Sequence, residues 1–492
     1  MPNITAAFAN IQSPSVSLVE QTAGYRVVEI ASHSAIYMIG SATIGPFNEP
    51  TLCVSLADFT NQFGGSLSEF SVKLLFRNDP EAKLFFVRAG IATEYTVTID
   101  AAAETDYTLT VNGATITYAA DLADDDEAIA EGLRSAINAS SVAASVSAFT
   151  APAANQLRIR PDVSTTALAE VVATAGAATI TNTTPVQPQS ADFISAIENS
   201  FDQDEGWAQG FLICPQGFQQ LSSPTDRLAL GSAMESFASD KAYDWKAFVD
   251  VGSGVESVAG LKEEGERYVS PQGHTDFFAP YVKDLEGEFI PASAGVAAMA
   301  TRMYRERGYH QPFAGALYPL QGVTDVERRY GRQEQDVLNP IGINLIRFLR
   351  NKGVCVWGMR TRSADPFYRF SVTRVIFNVL NGTLRDAFDF ELFASIDDRG
   401  VLLGRIKDTA LSVCRRMWKA GALFGATEQQ AFEVKCSFEN NSSDNLELGQ
   451  VIVEVYAAPS PALEKLLVAT FRTNIGAVQS AASSGVSTVE AA

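Results

Sequence analysis

The feature that most restricts this chain's fold is a set of short, almost unbroken apolar runs spaced between helical patterns. Ala35 to Ala42 ("AIYMIGSA"), Lys83 to Gly90 ("KLFFVRAG"), Gly210 to Pro215 ("GFLICP"), Trp245 to Val251 ("WKAFVDV") and Thr275 to Val282 ("TDFFAPYV") read as strands. Between them lie "SLSEFSVKLLFRN", "ADFISAIENSF", "TDRLALGSAMESFASD" and "SAGVAAMATRMYRERG", which carry helical periodicity. Strands that alternate with helices predict an α/β fold.

The rhythm is interrupted once. From Thr93 to about Pro188 aromatics thin out, Ala and Thr dominate, and the pattern reads strand, turn at Asn112-Gly113, strand, helix, strand. Asn-Gly between alternating segments is a strong hairpin signal. The run "ADDDE" at 123–127 puts acid at a helix start, where the helix dipole favours it. This stretch is expected to be a small β-α-β insert. With twelve acidic and three basic residues it contributes −9 of the chain's net charge of −20. Its exit, "TNTTPVQPQS", has linker composition.

A chain of 492 residues with 46% hydrophobic and 19% charged side chains can bury more than one core. The expected division is an arm at 1–20, a first core segment at 21–92, the insert at 93–188, a second core segment at 189–353, a C-terminal unit at 354–465 and an arm at 466–492. The acidic balance argues against a nucleic-acid partner, because phosphate binding needs a cationic surface. No apolar run is long enough to span a membrane and Met1 to Asn10 lacks a signal-peptide pattern, so a cytosolic origin is expected. Cys53, Cys214, Cys355, Cys414 and Cys436 are scattered without a C-x-x-C pair and read as small buried hydrophobes.

Signals of catalysis are sparse. G-x-S-x-G, Gly-Lys-Ser/Thr and a strand-linked G-x-G-x-x-G are all missing from the sequence, so neither a nucleotide nor any other cofactor is expected. The carboxylates at 123–127 lack the spacing of a calcium loop, and no metal is expected. The histidines are His33, His274 and His310. His274 stands two residues from Asp276, so a Ser–His–Asp arrangement is conceivable; an exposed or capping histidine at a strand start is the plainer reading. One helix has two distinct faces. At about 100° per residue, Leu403, Ile406, Ala410, Val413, Cys414 and Met417 share an arc, whereas Arg405, Arg415, Arg416 and Lys419 form a basic stripe. On so acidic a chain that stripe suits an acidic partner, or else simply a solvated face.

Three stretches carry a family likeness: "PASAGVAAMATRMYRERGYHQPFAGAL", "LNPIGINLIRFLRNKGVCVWGMRT" and "KAGALFGATEQQAFEVKC". The motifs are Pro291-Ser293-Gly295, Leu338-Asn339-Pro340 with Gly342-Ile343-Asn344, and Val356-Trp357-Gly358-Arg360-Thr361, in that order. In these the chain resembles contractile tail sheath proteins, the outer tubes of contractile phage tails and related injection machines. It departs from the family pattern at Phe390-Glu391-Leu392-Phe393 and at Pro14-Ser15-Val16-Ser17.

The resemblance implies a mixed α+β protein: a subtilisin-like α/β core without catalysis, a C-terminal α/β sheath domain, the insert, and extended terminal arms. It implies a non-enzymatic subunit of a phage tail sheath, or alternatively of a phage-like injection particle, assembled in the host cytoplasm into a virion tail. Its implied partners are other copies of itself, the inner tail tube protein, and baseplate and tail terminator proteins, with neither nucleic acid nor membrane insertion. Strand exchange between subunits is expected to use Ser15, Val16, Ser17 and Leu18 of the first arm, and Leu467, Val468, Thr470 and Phe471 of the second. The receiving edges are expected at 431–438, with Val434, and at 449–457, with Val451 and Val453. The basic stripe would face the tube. Trp357, Gly358 and Arg360 would seat the junction of core and C-terminal unit.

Overall fold

The computed structural model describes residues 29–470, apart from 92, 101–104, 152, 162–170, 183–186, 202–206, 241–243 and 398. Eight strands form the main sheet, in the order Gly353–Val356, Ile343–Leu349, Thr275–Ala279, Lys246–Asp250, Gly210–Ile213, Ala35–Gly40, Lys83–Arg88 and Thr51–Cys53. The six inner strands run parallel, and the two outermost pair antiparallel. Every residue of Ala35–Gly40, Gly210–Ile213, Lys246–Asp250 and Thr275–Ala279 is buried. The apolar runs are unbroken because helices cover both faces of the sheet.

Alternate side chains feed two cores, as the strand period requires. Ile36 and Met38 join Phe211, Phe248 and the helix Ser293–Arg307 on one face. Tyr37 and Ile39 join Leu212, Trp245 and the helices Ser190–Ser200 and Pro224–Ser239 on the other. Gly295 permits close approach of two helices: a Cβ there would lie 2.9 Å from Leu74 of Ser68–Asn78. The five cysteines are buried thiols.

The insert differs from its expected β-α-β form. Its strands make two antiparallel sheets, one of Ala178–Asn182, Tyr95–Ile99, Gln156–Pro161 and Val146–Thr150, the other of Ala114–Ala119, Asp106–Val111 and Val171–Ala175. Both contact the helix Asp126–Ala139, which supplies Ile129, Leu133 and Ile137 to a separate core. Short Thr- and Ala-rich strands give too little contrast between faces to be counted from sequence. The Asn112-Gly113 turn is as expected, with both residues at positive φ and Val111 paired to Ala114. Asp125 caps the helix that follows. The insert is tied to the body where Arg160 Nη2 donates to Asp192 Oδ1 at 2.6 Å.

Two expected limits shift in the C-terminal part. The division at 353/354 falls inside the antiparallel hairpin of Ile343–Leu349 with Gly353–Val356, so the main sheet runs past it. One continuous core also crosses it, through Val372, Ile376 and Val379 of helix Ser371–Phe388, Val413 and Met417 of helix Val401–Lys419, and Val434. The expected edge strands are shorter: Phe432–Lys435 pairs with Glu454–Ala457, Val434 opposite Val455. Val451 and Val453 precede the strand and pack beside Leu402, Leu403, Ile406 and Cys436. The cause is Asn441, whose side-chain amide bonds both the N–H (2.6 Å) and the C=O (3.1 Å) of Ile452 and so replaces a ladder partner.

Candidate assembly surface

His274 does not sit in a catalytic arrangement. It is fully buried rather than exposed or capping, with Nδ1 2.8 Å from the carbonyl of Trp245. The Asp276 carboxylate is engaged elsewhere: Lys246 Nζ donates to it at 2.8 Å, and Ser371 Oγ donates to its second oxygen. Burial lowers the Lys246 ammonium and raises the Asp276 carboxyl, each opposed by the other's charge. This pair fastens the start of helix Ser371–Phe388 beneath the sheet. His33 is buried too, pushed down to about 3 by burial and then by the charge of Lys246. Among the described residues no cluster of His, Cys, Asp or Glu fits a metal ion.

The motif residues converge on the foot of the C-terminal segment. Gly342, at φ 75°, turns the chain under Thr361, where a Cβ would lie 2.3 Å from the carbonyl oxygen. Asn344 is completely buried, and its amide accepts from Arg360 N–H and donates to Arg360 C=O, both at 2.7 Å. The backbone so fixed aims the Arg360 guanidinium at Glu464 in a two-pronged pair of 2.8 and 2.6 Å. Asn339 Nδ2 adds a third bond to Glu464 at 2.7 Å. Arg360 holds the Glu464 carboxyl below its usual range, against burial. Gly358 approaches Asn344 closely, with a Cβ there only 2.9 Å from Oδ1. Trp357 is 37% exposed, and its backbone is held on both sides: its N–H donates to the Leu345 carbonyl and its carbonyl accepts from Gln335 Nε2. Glu464 was missed from sequence, since nothing in a spacing of 104 residues links it to Arg360.

Beyond Glu464 the chain runs exposed, without strand or helix, through Leu466, Leu467 (92% exposed), Val468 and Thr470. Ser15, Val16, Ser17, Leu18 and Phe471 lie outside the described residues. The helix Val401–Lys419 buries all six residues of its expected apolar arc. Its basic stripe is partly committed: Arg405 pairs with Glu391 (Nε to Oε2, 2.9 Å) and Arg415 with Glu428 (2.8 Å). Arg416 is half-buried with its Nε lacking a partner, and Lys419 is exposed with no ion pair among the described residues.

The described residues form an α/β body that carries an exposed apolar segment after Glu464. No family model matches the chain. It is 23% identical, over 94% of its length and 96% of the relative's, to the tail sheath protein of Burkholderia phage BcepMu. Over 36% of its length and 43% of the relative's it is 24% identical to the tail sheath protein of Escherichia phage P2. In fold it is similar to the contracted sheath complex of PVC, an extracellular contractile injection system, with a TM-score of 0.59 and 15% identity over 94% of this chain and 99% of that one. The contracted helical sheath of the anti-feeding prophage gives a TM-score of 0.57 at 18% identity, over 94% of this chain and 100% of that one. In sequence and in fold the chain is thus similar to contractile tail sheath proteins.

Proposed function

We propose that this chain is the structural subunit of a bacteriophage contractile tail sheath, which polymerises around the inner tail tube in a metastable extended state and contracts to drive the tube through the host envelope. The observation that carries the reading is the likeness to the BcepMu tail sheath protein across 94% of the chain. A second reading, the sheath of an injection particle, is favoured by the fold likeness to the PVC and anti-feeding prophage sheaths. The role is structural rather than enzymatic. Partners in this reading are further copies of the chain, the inner tube, the baseplate and the tail terminator, in a virion tail put together in the host cytoplasm.

Cohesion during contraction is assigned to strand exchange. The exposed run Leu466 to Thr470 adds to a neighbour's two-stranded sheet beside Val434, and the first arm does the same. Each main-chain bond contributes about 1 kcal/mol net, and such bonds persist while rigid faces slide. In the basic stripe, Arg416 and Lys419 rather than the paired Arg405 and Arg415 meet an acidic inner tube. The insert at 93–188 is placed on the outside of the cylinder.

Co-expression with the inner tube protein and negative-stain microscopy test this reading. Sheathed tubes are expected. Removal of residues 1–20 together with 466–492 should leave folded subunits that form no cohesive tube, and intact tubes from that variant would refute strand exchange. Arg416→Glu with Lys419→Glu should abolish co-assembly with the tube; unchanged co-assembly would remove the stripe from the account.

A further inference from the structure

We propose that the cationic cleft formed by Arg362, Arg369 and Lys465 is a docking site for carboxylates of a second copy of this chain. The proposal rests on the sheath reading and names a contact within it. The cleft, of about 570 Å³, lies beside the Glu464 clamp, between the turn at 340–342 and the loop at 360–369.

Its charge runs against that of the whole molecule, which carries −20. Four cations line it, and Arg360 among them is occupied by Glu464. Arg362 is half-buried and steered by its Nε, which donates to the Tyr268 carbonyl at 3.2 Å. It has no carboxylate within salt-bridge distance among the described residues, and neither have the exposed Arg369 and Lys465. Burial pulls the Arg362 guanidinium below its ordinary value, a desolvation that an arriving anion relieves. Of the acids on the cleft wall, Asp365 accepts the Phe367 N–H, and Glu266, 3.8 Å from Lys262, only partly opposes through its charge the effect of burial on Arg362.

Three features select the occupant. Copies that each carry −20 repel one another, so a polymer of them needs local cationic sites that accept a neighbour's acids. A guanidinium held by Nε presents its remaining edge to a planar carboxylate. The two acids on the cleft wall disfavour a dense polyanion such as nucleic acid but tolerate isolated carboxylates. The cleft also adjoins the surface proposed for exchange, because Lys465 directly precedes the exposed run that starts at Leu466.

The test is polymerisation of the full-length chain, followed by sedimentation and negative-stain microscopy across a salt series. Wild-type tubes should form less readily as salt rises. Arg369→Glu with Lys465→Glu should raise the concentration needed for tubes at low salt by about tenfold or more, with an unchanged denaturation midpoint, whereas Arg369→Lys with Lys465→Arg should assemble as wild type does. If the charge-reversed chain polymerises at the wild-type concentration, the proposal is overturned. Normal self-assembly with loss only of inner-tube binding would assign the cleft to the tube and overturn it equally. Failure of the wild type to form any tube would instead strike the sheath reading, and this contact with it.

Discussion

The main sheet and the small C-terminal sheet solve the same hydrogen-bonding problem in opposite ways. In the first, six parallel strands lie between helical layers, and four of them are buried at every position. In the second, Phe432–Lys435 pairs with Glu454–Ala457, alternate residues of the first strand are exposed, and among the described residues no third strand joins the sheet, although a bridge of Leu423 with Pro459 flanks its end. A two-stranded ribbon is marginal alone, and open edges invite another chain. The body buries its strands between helices, while the ribbon leaves much of its backbone edge open, which suits the strand exchange proposed above.

Changes in the body should therefore cost stability, and changes around the ribbon should spare it. The largest effect is expected for Asp276→Leu, which strands Lys246 in the interior; urea denaturation should show a loss of about 3–5 kcal/mol. A loss under 1 kcal/mol would mean that the pair does not hold the body together. At the seam with the insert, Arg160→Ala should cost about 1.5–3 kcal/mol, while Asp192 keeps the backbone N–H of Gln189 at 2.7 Å. Excision of the insert should leave a body with a cooperative unfolding transition, and an unfolded product would contradict the separateness of its core.

A smaller effect depends on pH. Asp250 accepts from Ser293 at the start of the buried helix Ser293–Arg307, and burial pushes its carboxyl up to about 7. Between about pH 4 and that value the folded chain keeps a proton which the unfolded chain has released, so stability falls as pH rises and levels off above it. The slope from this one group is at most about 1.4 kcal/mol per pH unit. Asp250→Asn should remove that slope when denaturation midpoints are compared from pH 4 to 8. The smallest effect belongs to the C-terminal region: Arg415→Gln breaks only the exposed pair with Glu428, and no measurable change in the denaturation midpoint is expected.

The two regions were not equally legible. The strands of the main sheet were readable because burial on both faces leaves a run of apolar residues, and the arc from Leu403 to Met417 because a helix lying on a core repeats every 3.6 residues. The ribbon was overdrawn. Apolar alternation from Val451 onward looks like strand, but Asn441 takes the backbone of Ile452 out of the ladder. The basic stripe was found as a pattern, although its pairing with Glu391 and Glu428 depends on segments that lie outside the helix.

By itself, the sequence determined what is local and periodic: an α/β rhythm, an acidic interruption with an Asn-Gly hairpin, and the apolar arc of a helix. Tertiary structure alone decided which groups at a distance meet, as Glu464 meets Arg360 and Asp276 meets Lys246. The physical reason is that periodicity reports the face a residue buries, whereas charge pairing across a hundred residues follows from how layers stack, and spacing along the chain carries no record of that.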